Sequence, residues 1–299
     1  MIRMLQKNPC TLKELGAQNK DLAALRTLGF VLETRKQHGN TYYFLPSKSG
    51  AEVYKYSDGN GDITFGEMAD PHAGCKQFNR SGLEYFLGKC VSEKVRHVHI
   101  YGDLTDGNGH VYHGQLNNLE TWLEEEQARI LADVLSQYPL TYEAVKGNHD
   151  LSHELAGGIP VGKIIAGMMD NFVYIDNVVG DLLINGKILK RMIHLGFGQA
   201  YAKSYPGQVY IRNLLDADRG HVDVGNRHYR IRMVGIGHLH TEICYQTAGI
   251  YVTHPGSFQG PTDYTVRRGL VGPMGGRITK LKVSGSEIEE FDSRFVLCR

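Results

Sequence analysis

Five short apolar segments of this chain each lead into a polar cluster built from side chains that bind metals. The segments are typical of buried strands, because they are short, apolar and followed by turn residues. The clusters are Asp70-Pro71-His72, Gly102-Asp103-Leu104-Thr105-Asp106, Gly147-Asn148-His149-Asp150, His194 before Leu195-Gly196, and Gly237-His238-Leu239-His240. Polar groups at the ends of strands converge in many α/β proteins. The pattern therefore predicts an α/β domain with one composite polar site.

The chemistry of the five clusters is shared, and this gives them weight that none has alone. A lone histidine is usually packed or solvated, and a single D-x-H occurs by chance. Together the clusters offer carboxylate, amide and imidazole donors, which suit divalent transition metals. Their order is also regular: 31 residues separate His72 from Asp103, and the next three steps, through Asn148 and His194 to His238, span 45, 46 and 44.

The ordered set D-x-H, G-D-x-x-D, G-N-H-D, a strand-terminal histidine and G-H-x-H resembles the calcineurin-like metallophosphoesterases over about residues 63–285. The resemblance implies a pair of mixed β-sheets flanked by helices, with two divalent metals at one edge. It also implies a metal-dependent phosphoesterase, a hydrolase that acts on ester bonds.

The resemblance also assigns the ligands. It implies that Asp70, His72 and His240 bind one metal, that Asn148, His194 and His238 bind the other, and that Asp103 bridges them. Two ions about 3.5–4 Å apart clamp a phosphate, and a hydroxide held between them would be the nucleophile. Manganese is our first choice for both ions, while iron, zinc, nickel and cobalt accept the same donors.

Two further residues of the third cluster receive catalytic roles from the resemblance. His149 is expected to hydrogen-bond the transferring phosphoryl group and to protonate the leaving oxygen. Asp150 is expected to orient His149, and a role as a helix N-cap is compatible with this. His194 rests on a single-residue motif, and its competitors are His153, His221 and His228. We prefer His194 because it alone ends an apolar strand.

The N-terminal part of the chain differs from the rest in charge. Residues 1–55 carry a net charge of +5 and the remainder −4. Helical stretches at 11–15 and 19–28 precede two β-rich runs around the loop 36–40, an order that resembles a winged helix-turn-helix. The competing interpretation is a cap that only packs on the main domain.

These features predict an α/β phosphoesterase domain with a small N-terminal α+β domain. We expect a winged-helix-like domain at 1–50, a linker at 51–62 and the phosphoesterase domain at 63–299. Calcium binding at 56–67 is rejected because Tyr56 occupies the first loop position, where a carboxylate is required. Nucleotide binding at 157–164 is rejected because Ile164 replaces the Ser or Thr of a P-loop.

Composition bounds the location of the protein. No apolar run approaches the ~18–20 residues that cross a bilayer, so no membrane partner is expected. The start shows no signal-peptide core, and five scattered cysteines favour reduced thiols. A cytoplasmic location is the expectation.

Three functions are compatible with this sequence. The first is a phosphodiesterase or nuclease that binds nucleic acid through residues 1–50, which we call the basic head. The positive charge of this head favours it, as does the His254-Pro255-Gly256-Ser257 segment, which is similar to a loop of double-strand-break repair nucleases. The second is hydrolysis of a small molecule such as a cyclic nucleotide or a phosphomonoester. The third is a winged-helix regulator with a ligand-sensing phosphoesterase domain. The substrate, the metal identity and the oligomeric state stay open.

Overall fold

The structure of the protein is a computed structural model. It describes residues 12–15, 18, 20–21, 33–37, 40–44, 53–57, 62–196, 207–216, 220–224, 227–268 and 271–298. The chain forms two compact units, Met1–Val53 with Phe197–His228, and Tyr54–Gly196 with Tyr229–Arg299.

This division differs from the sequence-based one at two places. Residues 197–228 group with the N-terminal residues, although they lie inside the range predicted as one phosphoesterase domain. Residues 53–56 of the predicted linker form a strand that pairs with Val179–Ile184.

The helices whose bounds the structure describes are short. They are α1 (Leu12–Leu15), α2 (Arg80–Ser92), α3 (Glu124–Leu135), α4 (Asn148–Leu155), α5 (Val161–Met168), α6 (Gln208–Asp216) and α7 (Asp263–Arg268), with a 3₁₀ helix at Gln115–Asn118. None of these is both long and apolar enough to cross a membrane.

Strands make up the rest of the regular structure. They are β1 (Glu33–Gln37), β2 (Asn40–Phe44), β3 (Val53–Tyr56), β4 (Ile63–Met68), β5 (His97–Tyr101), β6 (Thr141–Val145), β7 (Phe172–Ile175), β8 (Val179–Ile184), β9 (Ile188–His194), β10 (His221–Val224), β11 (Arg227–Gly237), β12 (Glu242–Thr247), β13 (Ile250–Pro255), β14 (Gly275–Ser284) and β15 (Glu287–Leu297).

Two mixed sheets form the larger unit. The first has the order β15-β14-β4-β5-β6-β7, parallel from β4 to β7 and antiparallel at β14 and β15. The second has the order β12-β13-β11-β9-β8-β3, with β13, β11 and β9 parallel. Helices α2, α3 and α5 flank the first sheet through an apolar core that includes Phe86, Leu131 and Ile165. The predicted fold class of two mixed sheets flanked by helices is confirmed.

A second core, between the sheets, contains a charged cluster that the sequence did not predict. Lys190 Nζ lies 2.8 Å from Glu67 Oε1 and 2.9 Å from His99 Nδ1, and all three side chains are fully buried. Burial raises the pKa of Glu67, but Lys190 and the hydroxyls of Thr253 and Thr279 outweigh it and hold that pKa at about 2. The carboxylate therefore stays ionised and joins strands of both sheets.

The spacing of apolar residues from Leu116 to Tyr138 predicts one long helix, and this prediction is wrong in its first half. The chain forms the 3₁₀ helix at 115–118, and α3 starts only at Glu124. The reason is a competing set of hydrogen bonds: the Glu120 N–H donates to the Gly74 carbonyl at 2.7 Å, and Leu119 bridges Cys75. These contacts keep the segment extended beside the first polar cluster.

The two β-rich runs on either side of the loop at 36–40 predict a hairpin, and the antiparallel pairing of β1 with β2 confirms it, with Glu33 opposite Phe44 and Gln37 opposite Asn40. Most of the predicted second helix, including residues 22–28, lies outside the described residues. The winged-helix assignment therefore stays a prediction.

Candidate metal centre

The ends of parallel strands deliver the predicted donors. In the first sheet, β4 leads to Asp70 and His72, β5 leads to Asp103, and β6 leads to Asn148 at the start of α4. In the second sheet, β9 ends at His194 and β11 leads to His238 and His240. Because both sheets contribute, the site lies where their strand ends meet.

The donor atoms form three overlapping groups, and within each group all of them lie within 4.8 Å of one another. The groups are Asp70, His72 and His240; Asp103, His194 and His238; and His72, Asp103 and His149. Asp103 shares a group with residues assigned to each of the two metals, which is the position required of a bridging carboxylate.

Individual distances show how tightly the donors converge. His72 Nε2 lies 3.2 Å from His240 Nε2. His194 Nε2 lies 3.1 Å from both Asp70 Oδ1 and Asp103 Oδ2. A divalent ion fits this set, because several lone pairs would otherwise face one another across a buried space.

Asn148 supplies an independent indication that the residues fit a metal. Its Oδ1 is buried and has no hydrogen-bond partner among the described residues. A buried, unpaired amide oxygen is costly and needs an explanation such as an ion. Gly196 passes so close to this oxygen that a Cβ at that position would overlap it.

Backbone strain is concentrated at the donors. Asp70, His72, Asp103 and His240 have φ between 48° and 51°, and His238 has φ of 89°. Residues other than glycine rarely adopt this left-handed region, at a cost of about 1–3 kcal/mol each. The surrounding fold therefore holds five of the seven predicted ligands in place.

The electrostatics of the site favour a cation. Burial raises the pKa of Asp103, but His194, His149 and His72 outweigh it and hold that pKa well below its usual value. Burial lowers the pKa of His194, but Asp103 and Asp70 outweigh it and raise that pKa to about 10. A proton and a metal would therefore compete for the same imidazole nitrogen.

His149 lies beside the donors and is held from its other side. Its Nδ1 lies 2.8 Å from the Asp106 carbonyl oxygen and 3.2 Å from Gln115 Nε2. Its backbone N–H donates to Asp103 Oδ1 at 2.9 Å. With Nδ1 hydrogen-bonded to the carbonyl, Nε2 is the nitrogen that remains for a substrate oxygen.

Asp150 does not orient His149, contrary to the prediction. Its carboxylate accepts hydrogen bonds from the backbone N–H groups of Gly147, Thr105 and Leu104, at 2.8, 3.0 and 3.2 Å. It ties the first turn of α4 to the loop that carries Asp103. The Asp106 carbonyl holds the imidazole instead, through Nδ1.

Three residues around the donors were not predicted. Asp106 Oδ1 accepts from His72 Nδ1 at 2.8 Å and from Gln259 Nε2 at 3.1 Å, and it is fully buried. Asp106 is the second carboxylate of the G-D-x-x-D motif, so the motif itself was a signal. Gln115 and Gln259 had no sequence signal, because no motif includes them.

The Pro255-Gly256-Ser257 segment supports a ligand directly. Ser257 Oγ donates to the Asp70 carbonyl at 3.1 Å, and the Phe258 N–H donates to the same oxygen at 3.2 Å. These two hydrogen bonds therefore hold the strained backbone of Asp70.

The competing histidines lie outside the three donor groups. His153 is buried on α4, where burial and His149 lower its pKa to about 4. His221 and His228 stack on each other, with ring centroids 4.6 Å apart, in the other unit. The three groups therefore bring His194 together with five other predicted ligands, while Asn148 follows β6 at the start of α4.

Comparison with known proteins gives one similar sequence. No family model matches the chain. The chain is 26% identical over 245 residues to the DNA polymerase II small subunit of Methanocaldococcus jannaschii, an alignment that covers 70% of this chain and 40% of that protein. The chain thus spans about two fifths of the length of this relative.

Solved structures similar to this chain include several phosphoesterase-related proteins. An archaeal phosphodiesterase aligns with 11% identity and a TM-score of 0.45, over 78% of this chain and all of that one. Vps29 of Cryptosporidium parvum aligns with 12% identity and a TM-score of 0.43, over 79% and 99%. A 5'-nucleotidase from Staphylococcus aureus, itself assigned only provisionally, aligns with 12% identity and a TM-score of 0.42, over 80% and 55%.

The sheet order and the placement of the donors are seen directly in the structure. Parallel strands of both sheets end at one edge, and each carries a cluster of the ordered motif set. The chain therefore has two mixed sheets flanked by helices with the predicted donors at one edge, which is the arrangement that the resemblance of its motifs implies.

Proposed function

We propose that the protein is a metal-dependent phosphoesterase that hydrolyses phosphodiester bonds in nucleic acid. The observation that carries the proposal is the position of Asp103, within 4.8 Å of donors from both ligand sets and beside His149. Asp70, His72 and His240 would hold one ion, Asn148, His194 and His238 the other, and Asp103 both. When bound, the ions would supply charge neutralisation for the phosphate and an activated water.

The chain's own residues would orient the ester and move the proton. His149 lies beside the donor groups and is nearly buried, with 8% of its surface exposed. The Asp106 carbonyl fixes its Nδ1, so a proton on Nε2 would be directed at the leaving oxygen.

Nucleic acid is the proposed substrate class for two reasons. Residues 1–55 carry a net charge of +5, which favours phosphate backbones. The similar archaeal protein is a DNA polymerase subunit. A small phosphoester is the alternative, and a substrate series separates the two.

The first experiment tests the reaction. Protein loaded in turn with manganese, iron, zinc, nickel or cobalt is assayed on bis-p-nitrophenyl phosphate, p-nitrophenyl phosphate, a cyclic nucleotide and labelled DNA and RNA, with Asp103→Asn as the inactive control. We expect chelator-sensitive cleavage of the diester and of nucleic acid. Chelator-resistant activity, or no hydrolysis of any ester with any of the five metals, would reject the proposed reaction.

The second experiment tests the basic head in the full-length chain. Neutralising four head residues, Lys20, Arg26, Arg35 and Lys36, is expected to weaken nucleic-acid binding and to reduce its salt slope by about one per lost phosphate contact. The matched control neutralises four exposed residues of the other unit, Lys89, Arg129, Lys187 and Lys280. Equal losses in both variants would indicate nonspecific charge effects, and would favour a small-molecule substrate.

A further inference from the structure

A cleft of about 560 Å³ opens along the loop between Gly109 and Asn117, which follows the second ligand motif. The charged clusters of the metal centre do not line it. Its walls carry Tyr112, Val111 and Leu116, with His110 and His113 exposed to solvent. Among the described residues no carboxylate side chain lines this cleft, so its aromatic, aliphatic and uncharged polar groups present no negative charge to a substrate.

Tyr112 connects the cleft to the proposed acid. Its ring centroid lies 6.1 Å from that of His149. On α7, Tyr264 stacks on Tyr112 with ring centroids 4.5 Å apart and an angle of 23°. A ring at the end of the cleft nearest His149 is therefore supported by a second ring.

The hydroxyl of Tyr112 is held in place, which fixes the plane of its ring. Asn118 Nδ2 donates to Tyr112 Oη at 3.1 Å, and Thr262 forms a further hydrogen bond with it. Burial is the main cause that raises the pKa of Tyr112 to about 12, so this side chain stays neutral. A neutral, anchored, half-buried ring suits stacking better than proton transfer.

The position of His149 indicates which part of a substrate reaches this ring. A general acid contacts the leaving oxygen, so the leaving group extends toward the His149 side of the site. That side leads to Tyr112 and the cleft. This step rests on the proposed phosphodiesterase function.

We propose that Tyr112, supported by Tyr264, is the stacking surface for the nucleobase of the leaving nucleoside. The substrate class is then a nucleoside phosphodiester whose departing alcohol carries a base. Stacking on an aromatic side chain contributes roughly 5- to 150-fold per base. Since the ring is half-buried, about tenfold in kcat/KM is the expected effect here.

The test uses three dinucleotides: thymidylyl-thymidine, and two versions in which one or the other base is replaced by an abasic deoxyribose. Products separated by chromatography show which nucleoside departs. In the wild-type protein, removing the base of the leaving nucleoside is expected to lower kcat/KM about tenfold. In Tyr112→Leu the two substrates are expected to have about equal kcat/KM, because neither then has a ring to stack on.

Controls separate this effect from general damage. Tyr85→Leu, an exposed tyrosine on α2, is expected to keep the wild-type penalty. Tyr264→Leu, which removes the supporting ring but not Tyr112, is expected to reduce the penalty by about two- to threefold and serves if Tyr112→Leu does not fold. The readout is a ratio between two substrates, so a uniform loss of activity does not mimic it.

The outcomes distinguish the two proposals. If wild-type protein hydrolyses no phosphodiester with any metal, the proposed function fails first. If it hydrolyses bis-p-nitrophenyl phosphate but no dinucleotide, or if the base penalty is unchanged in both Tyr112→Leu and Tyr264→Leu, the stacking proposal is overturned while the phosphodiesterase stands.

Discussion

We expect Asp106 to influence metal affinity through its hydrogen bond to His72, and substitutions of Asp106 test this expectation. Its Oδ1 accepts from His72 Nδ1 at 2.8 Å, which leaves His72 Nε2 directed at the other donors. Burial lowers the pKa of His72, but the bond to Asp106 and the charges of Asp103, Asp106 and Asp70 outweigh it. Removing the carboxylate weakens both the orientation and the basicity of the imidazole.

Two substitutions separate the contribution of the Asp106 charge from that of its hydrogen bond to His72. Asp106→Asn keeps an acceptor for His72 but removes the charge, and we expect manganese to bind about tenfold more weakly. Asp106→Ala also removes the acceptor and strands the Gln259 amide, and we expect about a hundredfold loss. These factors correspond to about 1.4 and 2.8 kcal/mol of binding free energy. The Asp106 carbonyl that holds His149 is backbone and is unchanged in both variants.

The assay is a manganese titration of diester hydrolysis, with binding measured in parallel by calorimetry. Asp133→Asn, an exposed carboxylate on α3, is the matched control and should titrate like the wild type. At saturating metal, kcat of both Asp106 variants should approach the wild-type value. Unchanged metal affinity in Asp106→Ala would refute the reasoning, as would a lower kcat at unchanged affinity.

Three further predictions follow from the site and the core. Asp103→Asn should lower bound metal from two ions per chain to one or none by elemental analysis, because both sites lose the same charged donor. His149→Ala should keep the metals but lose ~10²–10⁴-fold in turnover, with a smaller loss for esters of better leaving groups; an equal loss across the series would count against the acid role. Glu67→Gln should unfold more easily at pH 7 by about 3–5 kcal/mol, since Lys190 stays buried without its charge partner. Because the pKa of Glu67 is lowered from 4.5 to about 2, its contribution is present above pH 4.5 and lost toward pH 2. Urea unfolding of Glu67→Gln should therefore depend less on pH over that range, and parallel curves would contradict this.

The sequence predicted the donors because each lies within a few residues of a strand end, where a local motif is visible. The elements that carry them, such as β4 and β9, were predicted for the same reason. The residues that contact these donors or join the two sheets were not predictable in this way. Gln259 reaches Asp106 across 153 residues, and Lys190 reaches Glu67 across 123. Such pairs depend on how the sheets pack, and a single sequence contains no signal for that.

Long-range contacts also explain the wrong predictions. The apolar spacing of Leu116, Leu119 and Leu123 favours a helix, but the backbone of 119–120 pairs with residues 74–75 instead. Asp150 is adjacent to His149 in sequence, yet its carboxylate points at the N–H groups of Gly147, Leu104 and Thr105. Neighbours in sequence on a helix point in different directions, so adjacency alone did not define the partner.

Because both sheets contribute donors to the metal centre, the geometry of the site depends on how the two sheets pack. His72 and His240 lie 168 residues apart in the chain and touch only when the first sheet lies against the second. An unfolded chain would have to close that long loop before it could gather the same donors. We therefore expect metal affinity to fall when the packing between the two sheets is disturbed. A disturbance at Lys190 and Glu67, deep in that interface, would register as weaker binding of ions that neither residue touches.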